Sequence, residues 1–205
     1  MYPGERFNSI SHLAGTAIAM AGAAVLIAGA ARVGDPWKIV SFSVYGAAMV
    51  ALYVSSTLYH SLRGRAKQVL RKLDHCSIYV LIAGSYTPFA LVSLRGAWGW
   101  SLLGVVWSLA LFGVAQEIWL AKGARVLSLI IYALMGWLAL AAISPLWQAL
   151  TPAGFGWLLA GGLCYTGGIA FYATDHKLRH GHGIWHLFVL GGSACHFTTM
   201  LLYVA

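Results

Sequence analysis

Seven apolar runs, each about as long as a bilayer is thick, leave this chain of 205 residues little choice of fold. A helix needs about 20 predominantly apolar residues to cross the hydrocarbon layer. Runs of that kind extend from His12 to Ala31, Ile39 to His60, Leu73 to Leu94, Ala97 to Ile118, Val126 to Ser144, Ala153 to Ala173 and Gly183 to Tyr203. The breaks between them are short and hold turn formers, such as Gly34-Asp35-Pro36 and Thr151-Pro152. Charged residues make up 9% of the chain, whereas a water-soluble protein carries roughly a quarter. The expected fold is all-α: a polytopic membrane protein with seven transmembrane helices in a single domain spanning residues 1–205. The first run is too long for a signal peptide, lacks a basic lead and runs straight into further spans.

Basic residues indicate the orientation. With the N-terminus inside, the cytoplasmic segments hold Arg6, Arg63, Arg65, Lys67, Arg71, Lys72, Lys122, Arg125, Lys177 and Arg179, which is ten of the 13 lysines and arginines. The other side has Arg32, Lys38 and Arg95. Lysine and arginine accumulate on the cytoplasmic side of membrane proteins, so the N-terminus is expected inside and the C-terminus outside, in a multi-pass protein of the cell (inner) membrane. The net charge of +8 is then mainly a topology signal and does not call for a nucleic-acid partner. Cys76, Cys164 and Cys195 fall within spans without paired spacing, so they read as small packing residues, not a disulfide framework.

The chemistry concentrates at one level of this topology. His182 and His186 are four apart at the start of the last span, so on a helix they project from one face and can share a metal ion. By the orientation above, His60 at the end of the second span and Asp74 at the start of the third lie in the same leaflet. Ser56 shares a helix face with His60. Three imidazoles with an open fourth position are the donor set of a hydrolytic zinc site, although imidazole also suits iron, copper or nickel. Asn8, Ser11 and His12 are expected at the cytoplasmic mouth, as part of an interfacial helix or as a solvated lead-in. His176 and His180 read as hydrated loop residues, His196 as a cavity-lining polar group, and the fourth and fifth spans as carrying little chemistry. Pro88 in Ser85-Tyr86-Thr87-Pro88 is expected to kink the third helix, with neighbouring hydroxyls satisfying the freed carbonyl. The plainest alternative for the histidines is that they cap membrane helices and bind no metal.

Ser56-x-x-x-His60, Leu73-Asp74, the stretch from Leu81 through Thr87-Pro88-Phe89, His182-x-x-x-His186 and His196-Phe197 together resemble the bacterial haemolysin III family. That family is grouped with the progestin and adipoQ receptors and, more distantly, the alkaline ceramidases. The resemblance covers almost the whole chain, including Glu5, Asn8 and His12. It implies seven helices with zinc in the inner leaflet, His60, His182 and His186 as the metal ligands, and Asp74 approaching zinc through water. Ser56 matches the family's serine one turn above the ligand histidine. The leading expectation is a zinc-dependent hydrolase of a lipid amide or ester, with Asp74 as general base and then acid and Ser56 steadying the oxyanion. A membrane lipid or fatty acid in an intramembrane cavity is the expected partner. A non-enzymatic membrane-lipid sensor held by structural zinc is the alternative, and a haemolysin-like cytolytic activity the third.

Overall fold

A computed structural model describes residues 1, 4–120 and 126–204; Lys122 and Arg125, counted above for orientation, lie outside the described residues. Among these residues there is no β-strand, and seven helices are long and apolar enough to cross a membrane. In chain order the elements are α1 (Arg6–Val33), α2 (Pro36–Ser61), α3 (Gly64–Pro88), α4 (Ala97–Trp119), α5 (Val126–Trp137), α6 (Ile143–Ala149), α7 (Pro152–Ala173) and α8 (Gly181–Thr199). Together α5 and α6 make up the fifth span.

The turn residues read in the sequence set the helix ends. α1 stops at Gly34, whose left-handed φ of 74° turns its N–H back onto the carbonyls of Ala30 and Ala31. Asp35 then caps α2: its Oδ1 accepts from the N–H groups of Trp37 (2.8 Å) and Lys38 (3.4 Å). Pro36 takes the first helical position, where its missing N–H costs nothing. Thr151-Pro152 repeats the arrangement at α7, with Thr151 Oγ1 accepting from Gly154 N–H at 3.2 Å.

Two helix starts and two irregular segments depart from the apolar runs. α1 begins at Arg6 and α3 at Gly64, so the basic stretch holding Arg65, Lys67 and Arg71 is helical. Counting apolar residues sees only the part of a helix that lies in lipid. Past Pro88 the third span widens into a π-turn over Phe89–Ser93, and Ser85 and Thr87 donate to the carbonyls of Ile82 and Ala83. The fifth span is broken by a 3₁₀ segment at Leu138–Ala142. The Tyr86 hydroxyl sits in that break, within 2.8 and 2.9 Å of the carbonyls of Met135 and Gly136, and accepts from Ala139 N–H at 2.9 Å. Irregular backbone at membrane depth persists where protein groups satisfy it, and Tyr86 does so here.

α3 is central: 72% of its most apolar stretch is buried inside the protein, against 17% for α7. Small residues let its neighbours close in. A methyl group placed on Gly46 would sit 2.6 Å from the Ala23 side chain, and one on Gly84 would sit 2.8 Å from that of Ala48. Phe42, Tyr45, Tyr53 and Tyr79 fill the centre of the packing. This arrangement brings the end of α2, the first half of α3 and the start of α8 to one end of the bundle.

Candidate metal centre

His60 from the last turn of α2 and His182 and His186 from the first turns of α8 converge at that end. Their ligand-capable atoms all lie within 4.8 Å of one another. The rings form a nearly equilateral triangle, with centroids 4.9–5.1 Å apart and planes tilted 57–69° to each other. Tilted rings around a shared point are how several imidazoles meet one ion. Rings packed only for burial have no reason to aim at a common centre.

Each ring has its other nitrogen engaged by an acceptor. His60 Nδ1 donates to Glu5 Oε2 at 2.5 Å. His182 Nδ1 donates to Asp175 Oδ2 at 3.1 Å. His186 Nδ1 lies 3.0 Å from the Asn8 carbonyl and 3.1 Å from Ser11 Oγ. A carboxylate or carbonyl can only accept, so the ring proton sits on Nδ1 and the lone pair on Nε2 in all three. His60 Nε2 is buried with no hydrogen-bond partner among the described residues, a costly arrangement unless a ligand completes it. Three neutral imidazoles with supported Nδ1–H groups fit a divalent ion such as zinc.

Glu5, just ahead of α1, is itself held. Lys67 Nζ donates to its Oε1 at 2.8 Å and Asn8 Nδ2 to its Oε2 at 3.0 Å. Burial would raise its pKa, but the Lys67 ammonium and the His60 hydrogen bond outweigh that and bring it down to about 2. The carboxylate is therefore ionised at neutral pH. The start of α1 packs directly onto α8, with the Phe7 ring against Gly183 where any side chain would collide. That contact puts the Asn8 carbonyl beside His186.

Ser56 and Asp74 lie on the same cleft as His182 and His186. Ser56 Oγ is 2.7 Å from His12 Nδ1. Asp74 is 8% exposed, and its Oδ2 is 3.9 Å from His75 Nε2. The cleft, partly open to its surroundings, spans about 1030 Å³. A second, almost wholly apolar one of about 700 Å³ lies next to it and shares Ser85, Tyr86, Gly136, Trp137, Gly162 and His196 in its lining. His196 Nε2 donates to the Leu158 carbonyl at 3.3 Å where they meet. His180 takes a left-handed backbone conformation as the residue before α8, and its ring meets Phe7 edge-on, away from the triangle.

Sequence reasoning passed over the support around these groups. Glu5, Asp175 and the Asn8 carbonyl hold the rings, and His12 stacks on His186. The fourth and fifth spans also carry more chemistry than expected. Glu117 is 3% exposed, lies 3.2 Å from His75 Nδ1, and is 3.1 Å from Ser128 Oγ on α5. Gln116 accepts from Tyr79 at 3.2 Å. One signal was available. The chain has only five acidic residues, and Glu5, Asp74, Glu117 and Asp175 all fall at predicted cytoplasmic span ends.

Several known proteins have similar sequences. The chain is 46% identical over 200 residues to the hemolysin-3 homolog of Bacillus subtilis (strain 168), covering 97% of this chain and 93% of that protein. It is 44% identical over 201 residues to hemolysin-3 of Bacillus cereus, covering 98% and 91%. The human monocyte to macrophage differentiation factor is 28% identical over 177 residues, covering 83% of this chain and 73% of its own length. The family model described as haemolysin-III related matches residues 2–197. With seven apolar helices and a match over nearly its whole length, the chain is a multi-pass membrane protein belonging to the haemolysin-III-related family.

Proposed function

We propose that this protein is a zinc-dependent hydrolase of a membrane lipid amide or ester, with its site in the cytoplasmic leaflet of the cell membrane. One observation carries the reading: three neutral imidazoles converge within 4.8 Å of one another, and two of them, His182 and His186, line a cleft that also presents a carboxylate and a hydroxyl. His60, His182 and His186 would hold the ion and leave a coordination position open, as hydrolytic zinc sites do. Zinc bound there supplies Lewis acidity and brings the acidity of water toward neutral pH.

The chain's own groups do the rest. Asp74 takes a proton from water and delivers it to the departing amine or alcohol, as general base and then general acid. When His12 Nδ1–H donates to Ser56 Oγ, the Ser56 hydroxyl proton is free to face the cleft and steady charge on the carbonyl oxygen. The apolar walls, among them Leu81, Ile82, Phe89 and Leu158, accept an acyl chain, which makes a membrane lipid or fatty acid the natural occupant.

A sensor reading also has an observation behind it. The Nδ1 partners come from α1 and the α7–α8 turn, so an ion here would brace several helices together. Lipid content of the cleft would then bias helix packing without turnover.

Elemental analysis of purified protein beside the His182→Ala/His186→Ala double variant tests the centre. The expected result is about one zinc per chain, lost in the variant. Reconstituted protein would then be assayed on long-chain amides and esters. Hydrolysis abolished in His186→Ala supports the enzyme, and hydrolysis that persists in a zinc-free variant overturns it. Zinc without turnover on any such lipid favours the sensor.

A further inference from the structure

Two rings at this centre lie flat on one another, and one of them is not among the three candidate ligands. The centroids of His12 and His186 are 3.6 Å apart with 9° between their planes. His12 projects from α1 and is 3% exposed. Its Nδ1 is 2.7 Å from Ser56 Oγ, and Tyr53 meets it edge-on at 5.0 Å. Its Nε2 is buried with no hydrogen-bond partner among the described residues.

We propose that His12 is a positioning residue of the metal centre, tethered by Ser56 and pressed flat on His186 so that the His186 ring cannot tilt. The inference rests on the metal reading above. Asn8 O and Ser11 Oγ both engage the same atom of His186, its Nδ1. Contacts at one atom fix where that edge of the ring sits and leave the ring free to rock about it. A face-to-face contact removes that freedom and sets the direction of Nε2. Among the described residues His60 has no face-on ring partner; its neighbours Tyr59 and His182 are tilted to it at 57°. It has instead a carboxylate at 2.5 Å to fix it. His186 lacks a carboxylate and has the stack. Groups that orient metal-bound histidines typically change affinity 10–100-fold when removed.

The test is zinc affinity of the full-length protein in detergent, by competition with a chromophoric chelator. The variants are His12→Ala, His12→Phe, Ser56→Ala and the His12→Ala/Ser56→Ala pair. His12→Ala is expected to weaken zinc about tenfold or more. His12→Phe keeps a ring on His186 and restores most of that loss, which a general packing defect would not do. Ser56→Ala weakens zinc less than His12→Ala, and adds nothing in the His12→Ala background because the tether then holds no ring. The visible spectrum of the cobalt(II)-loaded protein should be matched by His12→Phe and altered in His12→Ala. Wild-type affinity in His12→Ala overturns the proposal, as does a His12→Phe variant no better than His12→Ala. Wild-type protein that binds no zinc overturns the metal reading itself. Tight zinc in every variant overturns only the role of His12.

Discussion

Glu5 and His60 stand 55 positions apart in the chain, and their Oε2 and Nδ1 atoms lie 2.5 Å apart. The contact joins the start of the first helix to the end of the second and gives the imidazole a fixed tautomer. Glu5 is in turn bound by Lys67 at 2.8 Å, which comes from the part of α3 that extends beyond the apolar run. The aim of one candidate ligand thus depends on residues of three helices.

Glu5→Gln removes the charge while keeping the size. Zinc affinity, measured by chelator competition, is expected to fall about tenfold. Asp175→Asn should cost less, because the Asp175 side chain is 36% exposed against 22% for Glu5 and water can replace part of its role. Unchanged affinity in both variants would show that the Nδ1 partners do not govern the centre.

Asp74→Asn separates binding from chemistry. Asp74 lies on the cleft outside the three-histidine group. The variant should retain zinc and lose turnover by about 100-fold or more, the scale of general acid–base catalysis. Loss of zinc in this variant would make Asp74 a ligand, and full turnover would remove it from the mechanism.

Tyr86→Phe strips the hydroxyl that fills the break in the fifth span. Two carbonyls and the Ala139 N–H lose their partner at membrane depth. The expected cost is about 1–3 kcal/mol in thermal unfolding, with faster exchange of the Ala139 amide hydrogen. A variant as stable as wild type would show that the 3₁₀ segment supports itself.

Gly99→Ala and Gly162→Ala should behave oppositely. A methyl group on Gly99 runs into the Ala90 and Leu94 carbonyls, which are backbone and cannot swing aside, whereas Gly162 has open space. Gly99→Ala is expected to destabilise by about 1–3 kcal/mol. Gly162→Ala should stay within about 0.5 kcal/mol and narrow the junction of the two clefts. Equal unfolding temperatures for the two variants would contradict this packing.

The spans were legible because lipid imposes a length and a composition on each helix, and the caps at Gly34-Asp35-Pro36 and Thr151-Pro152 follow local rules. The proximity of His182 and His186 was legible for the same reason, since four residues make about one helical turn. Bringing His60 to them needed only topology. The rest depends on contacts between distant parts of the chain. No spacing rule links Glu5 to His60 or lays His12 on His186. The break at Leu138 lies inside an unbroken apolar run and is stabilised by Tyr86 from another helix. Glu117 lies in a span expected to carry little chemistry, and only the packing of α5 and α3 against it encloses it with His75 and Ser128.

The distribution of the three histidines along the chain also bears on how each molecule is made. His60 enters the bilayer with the second helix, whereas His182 and His186 belong to the last. During synthesis Glu5, Lys67 and His60 can meet early, but they stand beside an unfinished pocket until α8 has been made. A chain cut short before Gly181 carries one of the three candidate ligands and lacks the helix that packs over it. The triangle therefore closes only once α8 has joined the helices made before it.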